Sequence, residues 1–227
     1  MNVTLTVWRV PAYRAPQVAW RLVADRRRLR RTPGVRFAKL LGTSSGFTGM
    51  DLTRWAALTV ADRTEIPALA RWRKLATAQC RLELRPLTSR GQWAGAEPFN
   101  VDGGVDEDGQ RETDEMVLAL TRARLRPARA MRFWRAIRPV AAAATGADGL
   151  LAALGIGEAP IGWQGTVSLW RSRHHLTEFA YRHPDHRRMI DRTPEVGWYA
   201  EELYARFAVH RVDGDPAVIG WAERSTA

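Results

Sequence analysis

Cysteine and lysine are nearly missing from this chain: 227 residues hold one cysteine, Cys80, and two lysines, Lys39 and Lys74. A single cysteine excludes an internal disulfide framework and fits a cytoplasmic setting. Cys80 has apolar neighbours and no histidine nearby, so a buried structural thiol is expected there, not a nucleophile or thiolate ligand. No apolar run reaches about 18 residues, so no membrane-spanning helix is expected. The opening Met-Asn-Val-Thr-Leu-Thr-Val-Trp lacks the basic and apolar regions of a signal peptide. Glycine-rich stretches at 42–46 and 155–157 complete neither G-x-G-x-x-G nor G-x-x-x-x-G-K-[ST], which removes the common nucleotide fingerprints. Gly42-Thr-Ser-Ser-Gly46 spells G-x-S-x-G, but it lies in a loop between two predicted strands and not in the strand-to-helix turn of a nucleophile elbow; zinc-finger and RNP signatures are missing, so neither Ser-hydrolase chemistry nor a nucleic-acid partner is expected.

Arginine and tryptophan stand out among what is present. The formal net charge is +11, almost all from arginine, and there are ten tryptophans. Such a charge suits an anionic partner, whether nucleic acid, a membrane surface or an anionic cofactor. It equally describes the solvated basic face of an arginine-rich protein, which composition alone favours. Core packing must account for most of the tryptophans; Trp93, Trp134, Trp163, Trp170 and Trp198 also suit a cavity for a flat or polyene ligand. With 45% hydrophobic and 26% charged residues, the chain can form one large or two small globular domains.

Alternating residues predict strands at 3–10, 35–42, 53–60 and 80–85. Helices are expected over 16–31, which carries the cluster Arg26, Arg27, Arg28, Arg30 and Arg31, and from Asp62 to about Ala78, with Glu65 completing a capping box. The connection 86–100 reads as irregular, and residues 101–115 read as an exposed acidic linker. The order then recurs: a strand at 116–124, a helix at 127–144, strands entering near 149–157 and at 165–170, a helix at 172–190 broken near Pro184, and a strand at 204–211. Duplication of a β-α-β-β-α-β unit predicts an α+β fold of tandem ferredoxin-like repeats, with halves at 1–100 and 116–227. Two such sheets facing each other would form a single-chain version of the dimeric α/β barrel, expected to enclose a central cavity for an apolar ligand.

His183 and His186 lie one helical turn apart and could reach one metal. Pro184 disturbs their register, however, and no further ligand stands at zinc-site spacing. Spacing alone favours solvated histidines on a surface helix, while a haem iron would need only one of them. His174-His175 reads as a solvated helix start, and His210 in the last strand is undecided between core and solvent.

Several stretches resemble spheroidene monooxygenase, the acyclic carotenoid ketolase family. They are Arg31-Thr-Pro-Gly-Val-Arg-Phe-Ala-Lys-Leu-Leu-Gly42, Leu87-Thr-Ser-Arg-Gly-Gln-Trp-Ala-Gly95, Thr121-Arg-Ala-Arg-Leu-Arg-Pro127 with Arg132-Phe-Trp134, Gly155-Ile-Gly-Glu-Ala-Pro160, and Phe179-Ala180 with His186. The most specific is Trp198-Tyr-Ala-Glu-Glu-Leu-Tyr-Ala-Arg-Phe207. The resemblance implies a haem monooxygenase that uses dioxygen and an external electron donor. It implies haem b with His186 as axial iron ligand, and a small apolar substrate, carotenoid-like or a secondary metabolite. The chain is also similar to tandem ferredoxin-like haem proteins, in which a helix of the second half supplies that histidine. Arg90, Arg132 and Arg187 are then candidates for the propionates, and Trp134, Phe179 and Trp198 for the aromatic wall. Other readings stay open: a haem lyase or dehydratase of the aldoxime type, or a non-catalytic haem-binding barrel. So do peripheral membrane contact and a homo-oligomer.

Overall fold

Val3, Leu5 and Val7 point to one side of the first strand, and Trp8 to the other, where a second hydrophobic cluster forms. This period-2 pattern lets one sheet serve an inner and an outer core. The computed structural model describes residues 2–44, 50–63, 65–99, 115–125, 144, 146–158, 163–182 and 199–221. Its strands are β1 (Asn2–Arg9), β2 (Val35–Ser44), β3 (Met50–Ala61), β4 (Ala78–Gly91), β5 (Val117–Leu125), β6 (Leu150–Glu158), β7 (Trp163–Trp170) and β8 (Tyr199–Gly214). The described helices are α1 (Ala15–Arg31), α2 (Pro67–Arg73) and α3 (Arg173–Arg182).

The architecture is α+β, a closed antiparallel barrel in the order β1-β3-β2-β6-β7-β5-β8-β4. One junction is long: β4 pairs with β8 from Cys80↔Gly214 to Gly91↔Leu203. The other is short: β2 meets β6 at Gly42↔Gly157 and Thr43↔Ile156. Side chains reinforce that seam. The Gly155 amide donates to Ser44 Oγ at 2.9 Å, and Lys39 pairs with Glu158 at 3.0 Å.

The expected central cavity is not found among the described residues. Leu5, Leu82, Leu120, Leu154, Leu169, Leu203 and Phe207 fill the interior. Eight strands leave an interior just wide enough for side chains of this size. Val218 and Ile219, in the 3₁₀ turn Pro216–Ile219, are buried against one end of that core. Cys80 is fully buried in the same core, as expected, and burial, then the charges of Asp215 and Asp213, pushes its thiol up to about 11.

Outside the barrel, α1 and α2 cover β1, β2 and β3. Trp8 stacks on Trp72 at 5.4 Å, and the indole N–H of Trp72 donates to the fully buried Asp25 at 3.1 Å. Asp25 also binds Arg28 at 3.0 Å and Arg21 at 3.7 Å, so this buried charge is paired. The helix α3 packs on β5 and β7, where Phe179 stacks on Trp170 at 5.3 Å.

Three local expectations change. The second helix begins at Pro67, not Asp62. Proline is favoured in the first helical turn but disrupts an interior, and Asp62 pairs with Arg36 at 3.0 Å instead of capping. Residues 86–91 belong to β4, with a register shift between Pro86 and Thr88 that accommodates a proline lacking an N–H. Residues 199–203, read as a connection, belong to β8. The predicted helix at 127–144 falls, except for Ala144, outside the described residues, and so does nearly all of the acidic stretch. No described helix is long and apolar enough to cross a membrane.

Gly91 ends β4 with φ 91°, and a Cβ there would lie 2.2 Å from the Glu202 carbonyl oxygen. Gly91→Ala should therefore cost about 2 kcal/mol or more, seen as a lower urea midpoint with an unchanged slope.

Candidate functional site

Where β4 leaves the barrel, residues 93–96 make a tight turn. The Trp93 N–H donates to Ala96 O at 2.8 Å, and the Ala96 N–H returns to Trp93 O at 3.3 Å. Ala94 and Gly95 have φ 56° and 74°, as a type I′ turn requires. Their amides donate to the two oxygens of Glu201, at 3.0 and 3.1 Å. Arg122 on β5, only 2% exposed, pairs with the same carboxylate. Burial pushes the Glu201 carboxyl up, but the Ala94 amide, the Arg122 guanidinium and the Gly95 amide together hold it below the usual carboxylate range.

The Trp93 indole N–H donates to Glu158, whose second oxygen takes Lys39. The Arg122 guanidinium lies 5.4 Å from the Trp93 ring centre, and the Lys39 ammonium lies 5.7 Å from it. Phe37 meets Trp93 edge-on at 5.6 Å, and Phe99 meets Phe207 at 4.9 Å, which carries the cluster into the apolar interior. Beside Arg122 and Glu158 lies a cleft of about 10 Å³, room for about one water, lined by Leu41, Ile156 and Gly165 among others. Ligand pockets usually need about 300–1,000 Å³. This cluster therefore closes the barrel end and ties the two halves together.

A second surface lies on the outer face of β6, β7, β5 and β8. The register sets Gly155, Thr166, Thr121 and Tyr204 in one row, and Ala153, Ser168, Ala119 and Arg206 in the next. Three adjacent strands, spaced about 4.8 Å apart, thus form a floor of Gly, Ala, Ser and Thr. Phe179 and Trp170 stand at one margin. Tyr204 stands at the other, with the Arg90 guanidinium 5.3 Å from its ring centre. The Tyr199 hydroxyl bonds to that of Tyr204, which donates to Glu202 at 3.4 Å. Burial is the main cause that raises both phenols. The charge of Glu202 adds to it at Tyr204, and Tyr204 followed by Glu202 adds to it at Tyr199. Both hydroxyls accordingly keep their protons at neutral pH.

Of the residues singled out in the sequence, Phe179 and Arg90 come to opposite margins of this floor. His186, Arg132, Arg187, Trp134 and Trp198 lie outside the described residues, as does His183. His174 is exposed, and His175 Nδ1 lies 2.8 Å from Ser172 Oγ, as suits a helix start; His210 faces solvent. Among the described residues no group of three His, Cys, Asp or Glu is placed to hold a metal ion. The pairings of Lys39, Trp93, Arg122, Glu158 and Glu201 were not anticipated. A signal existed: each residue lies within a stretch quoted above, and Arg122 occupies an inward position of an alternating strand.

No family model matches the chain. It is 35% identical over 228 residues to the spheroidene monooxygenase of Rhodobacter capsulatus, covering 93% of each chain. The spheroidene monooxygenase of Rubrivivax gelatinosus is 33% identical over 193 residues, with 80% of this chain and 72% of the relative covered. That of Cereibacter sphaeroides is 30% identical over 222 residues, covering 92% and 66%. Among solved structures, an aldoxime dehydratase in complex with butyraldoxime superposes with a TM-score of 0.55 at 13% identity, covering 92% of this chain and 79% of that one. A second aldoxime dehydratase gives 0.52 at 12% identity, covering 92% and 80%. At such identities the likeness is one of fold.

Proposed function

Because the chain belongs to the spheroidene monooxygenase family, we propose that it is a haem-dependent monooxygenase acting on an apolar small molecule, carotenoid-like or a secondary metabolite. The observation that carries this reading is 35% identity to the Rhodobacter capsulatus relative over 93% of both chains. We read the two halves as one ferredoxin-like unit repeated. The strand orders β4-β1-β3-β2 and β8-β5-β7-β6 support this, because each runs fourth, first, third, second within its half.

Two places for a haem can be weighed on the described residues, and they favour the outer one. The packed interior does not suit it, since the cleft described there, about 10 Å³, is too small and is bounded by paired charges. The outer floor does fit: a flat macrocycle needs a surface without protruding side chains, and β5, β6 and β7 offer one beside the Trp170–Phe179 stack. In this reading His186 would hold the haem iron through a ring nitrogen; α3, at the margin of the floor, ends four residues before it in the chain. A ligating histidine is best oriented when its other ring N–H donates to a carbonyl or carboxylate. Arg90 stands where a guanidinium can pair with a propionate in forked geometry, with Arg132 and Arg187 as its partners in that task. Phe179 borders the plate, with Trp134 and Trp198 as the remaining aromatic wall.

Haem bound there would supply dioxygen activation, fed by an external electron donor. The chain's own contribution is positional. The packed barrel keeps water from reaching the floor from below. Tyr204 Oη, which donates its proton to Glu202 and is linked to Tyr199, fixes a polar hydroxyl at the edge.

The test is turnover of an acyclic carotenoid by haem-loaded protein under isotopically heavy dioxygen. A monooxygenase places one heavy oxygen atom in the product and consumes reductant in step. Product formed without reductant and without label would instead assign a lyase or dehydratase.

A further inference from the structure

The solvent face of α1 is unlike that of an ordinary surface helix. Trp20 is 61% exposed and Val23 67%, and Tyr13 in the preceding turn is 77% exposed. At 100° per residue, Pro16, Trp20, Val23, Arg27, Arg30 and Arg31 fall within an arc of about 100°. Val18, Asp25 and Leu29, the buried positions, lie opposite. The stripe is thus apolar over its first two turns and basic over its last.

Among the described residues no carboxylate pairs with Arg27, Arg30 or Arg31. The helix has one acidic residue, Asp25, which is turned inward to Trp72 and binds Arg21 and Arg28. Arg26, Arg27, Arg30 and Arg31 make no ion pair among the described residues. Arg71, Arg73 and Lys74, exposed at the end of neighbouring α2, extend the positive surface. Tyr13 is also held in place. Arg14 lies 5.6 Å from its ring centre while donating to the Lys74 and Leu75 carbonyls, both at 3.1 Å. Favourable interaction with the helix dipole explains arginines in the last turn, but not an exposed tryptophan and valine in the first two.

Exposed aromatic and aliphatic side chains beside unpaired arginines match the chemistry of an anionic lipid surface. Rings enter the headgroup region while guanidinium groups meet phosphates. Duplex nucleic acid would use the arginines but leave Trp20 and Val23 in water. We propose that the α1 face, Tyr13, Trp20 and Val23 with Arg27, Arg30 and Arg31, docks the protein on anionic membrane. This face covers β1, β2 and β3, whereas the candidate floor belongs to β5, β6 and β7 across the barrel, so docking leaves the floor uncovered. The proposal does not depend on the haem reading.

Sedimentation of the full-length chain with phosphatidylcholine vesicles, with and without phosphatidylglycerol, tests it. Binding should need the anionic lipid and weaken with salt. Trp20→Ser should lower partitioning by about tenfold through lost apolar contact. The triple change Arg27→Ser, Arg30→Ser, Arg31→Ser should lower it on the order of 100-fold, from roughly 1 kcal/mol per arginine. Melting temperatures should stay near that of the parent, because these side chains face solvent. Arg211→Ser, on β8, should bind as the parent does. Failure to bind anionic vesicles overturns the proposal. So does binding that Trp20→Ser leaves unchanged, or preference for duplex DNA over the anionic vesicles. If the triple variant melts early, Trp20→Ser alone decides.

Discussion

Arg122→Ala is expected to destabilise the protein by about 3–5 kcal/mol, the range for breaking a buried ion pair by deleting one partner. At 2% exposure Arg122 cannot be replaced by water without opening the barrel end. Its loss strands Glu201, whose side chain is only 17% exposed, with the Ala94 and Gly95 amides as remaining partners. It also removes the cation beside Trp93, the residue that links β4 to Glu158 on β6. For a chain of this size the melting temperature should fall by roughly 6–20 °C. The effect has a pH signature. Glu201 has a folded pKa below its unfolded value. Its contribution is therefore complete above the unfolded carboxyl's pKa and is lost as pH falls through the folded one. Glu201→Gln should give a shallower acid limb in a plot of stability against pH, with little difference between variant and parent in their slopes above neutrality.

The second large effect concerns the outer face. Thr121 sits at the middle of the floor, between Thr166 and Tyr204. Thr121→Trp would raise a ring there and should abolish haem retention. Its thermal melting should stay within about 1 kcal/mol of the parent, because the side chain points away from the packed interior. Val167→Ala, on the inward side of the neighbouring strand, should show the reverse: lower stability by about 1–3 kcal/mol and haem retained. Comparing haem content and melting for the pair separates the two faces of one sheet.

Strands were legible where alternation is clean. Val3 to Arg9 and Val117 to Leu125 stand within a residue or so of expectation because their residue types alternate, even though β1 is buried on both faces. Alternation is lost in β4 at Leu87-Thr-Ser-Arg-Gly91, where neither face carries an apolar series, and pairing with β8 alone reveals the strand. The start of α2 turned on Pro67, a local rule that a capping-box match at Asp62 overrode. The barrel-end cluster was harder. Lys39, Trp93, Arg122, Glu158 and Glu201 are scattered over some 160 residues and share no spacing. Long-range register, not sequence proximity, brings them together. Similarly, the small-residue floor appears only once Gly155, Thr166 and Thr121 are placed in one row. The position of the floor is therefore a structural result, while His186 as its ligand rests on family resemblance.

The central claim, a haem held over that floor by His186, is tested most directly by the absorption spectrum of protein produced with ample haem and passed through gel filtration. The parent should keep a Soret band, and His186→Ala should lose or shift it while melting as the parent does. A spectrum unchanged in His186→Ala, or a parent that takes up no haem, would contradict the account.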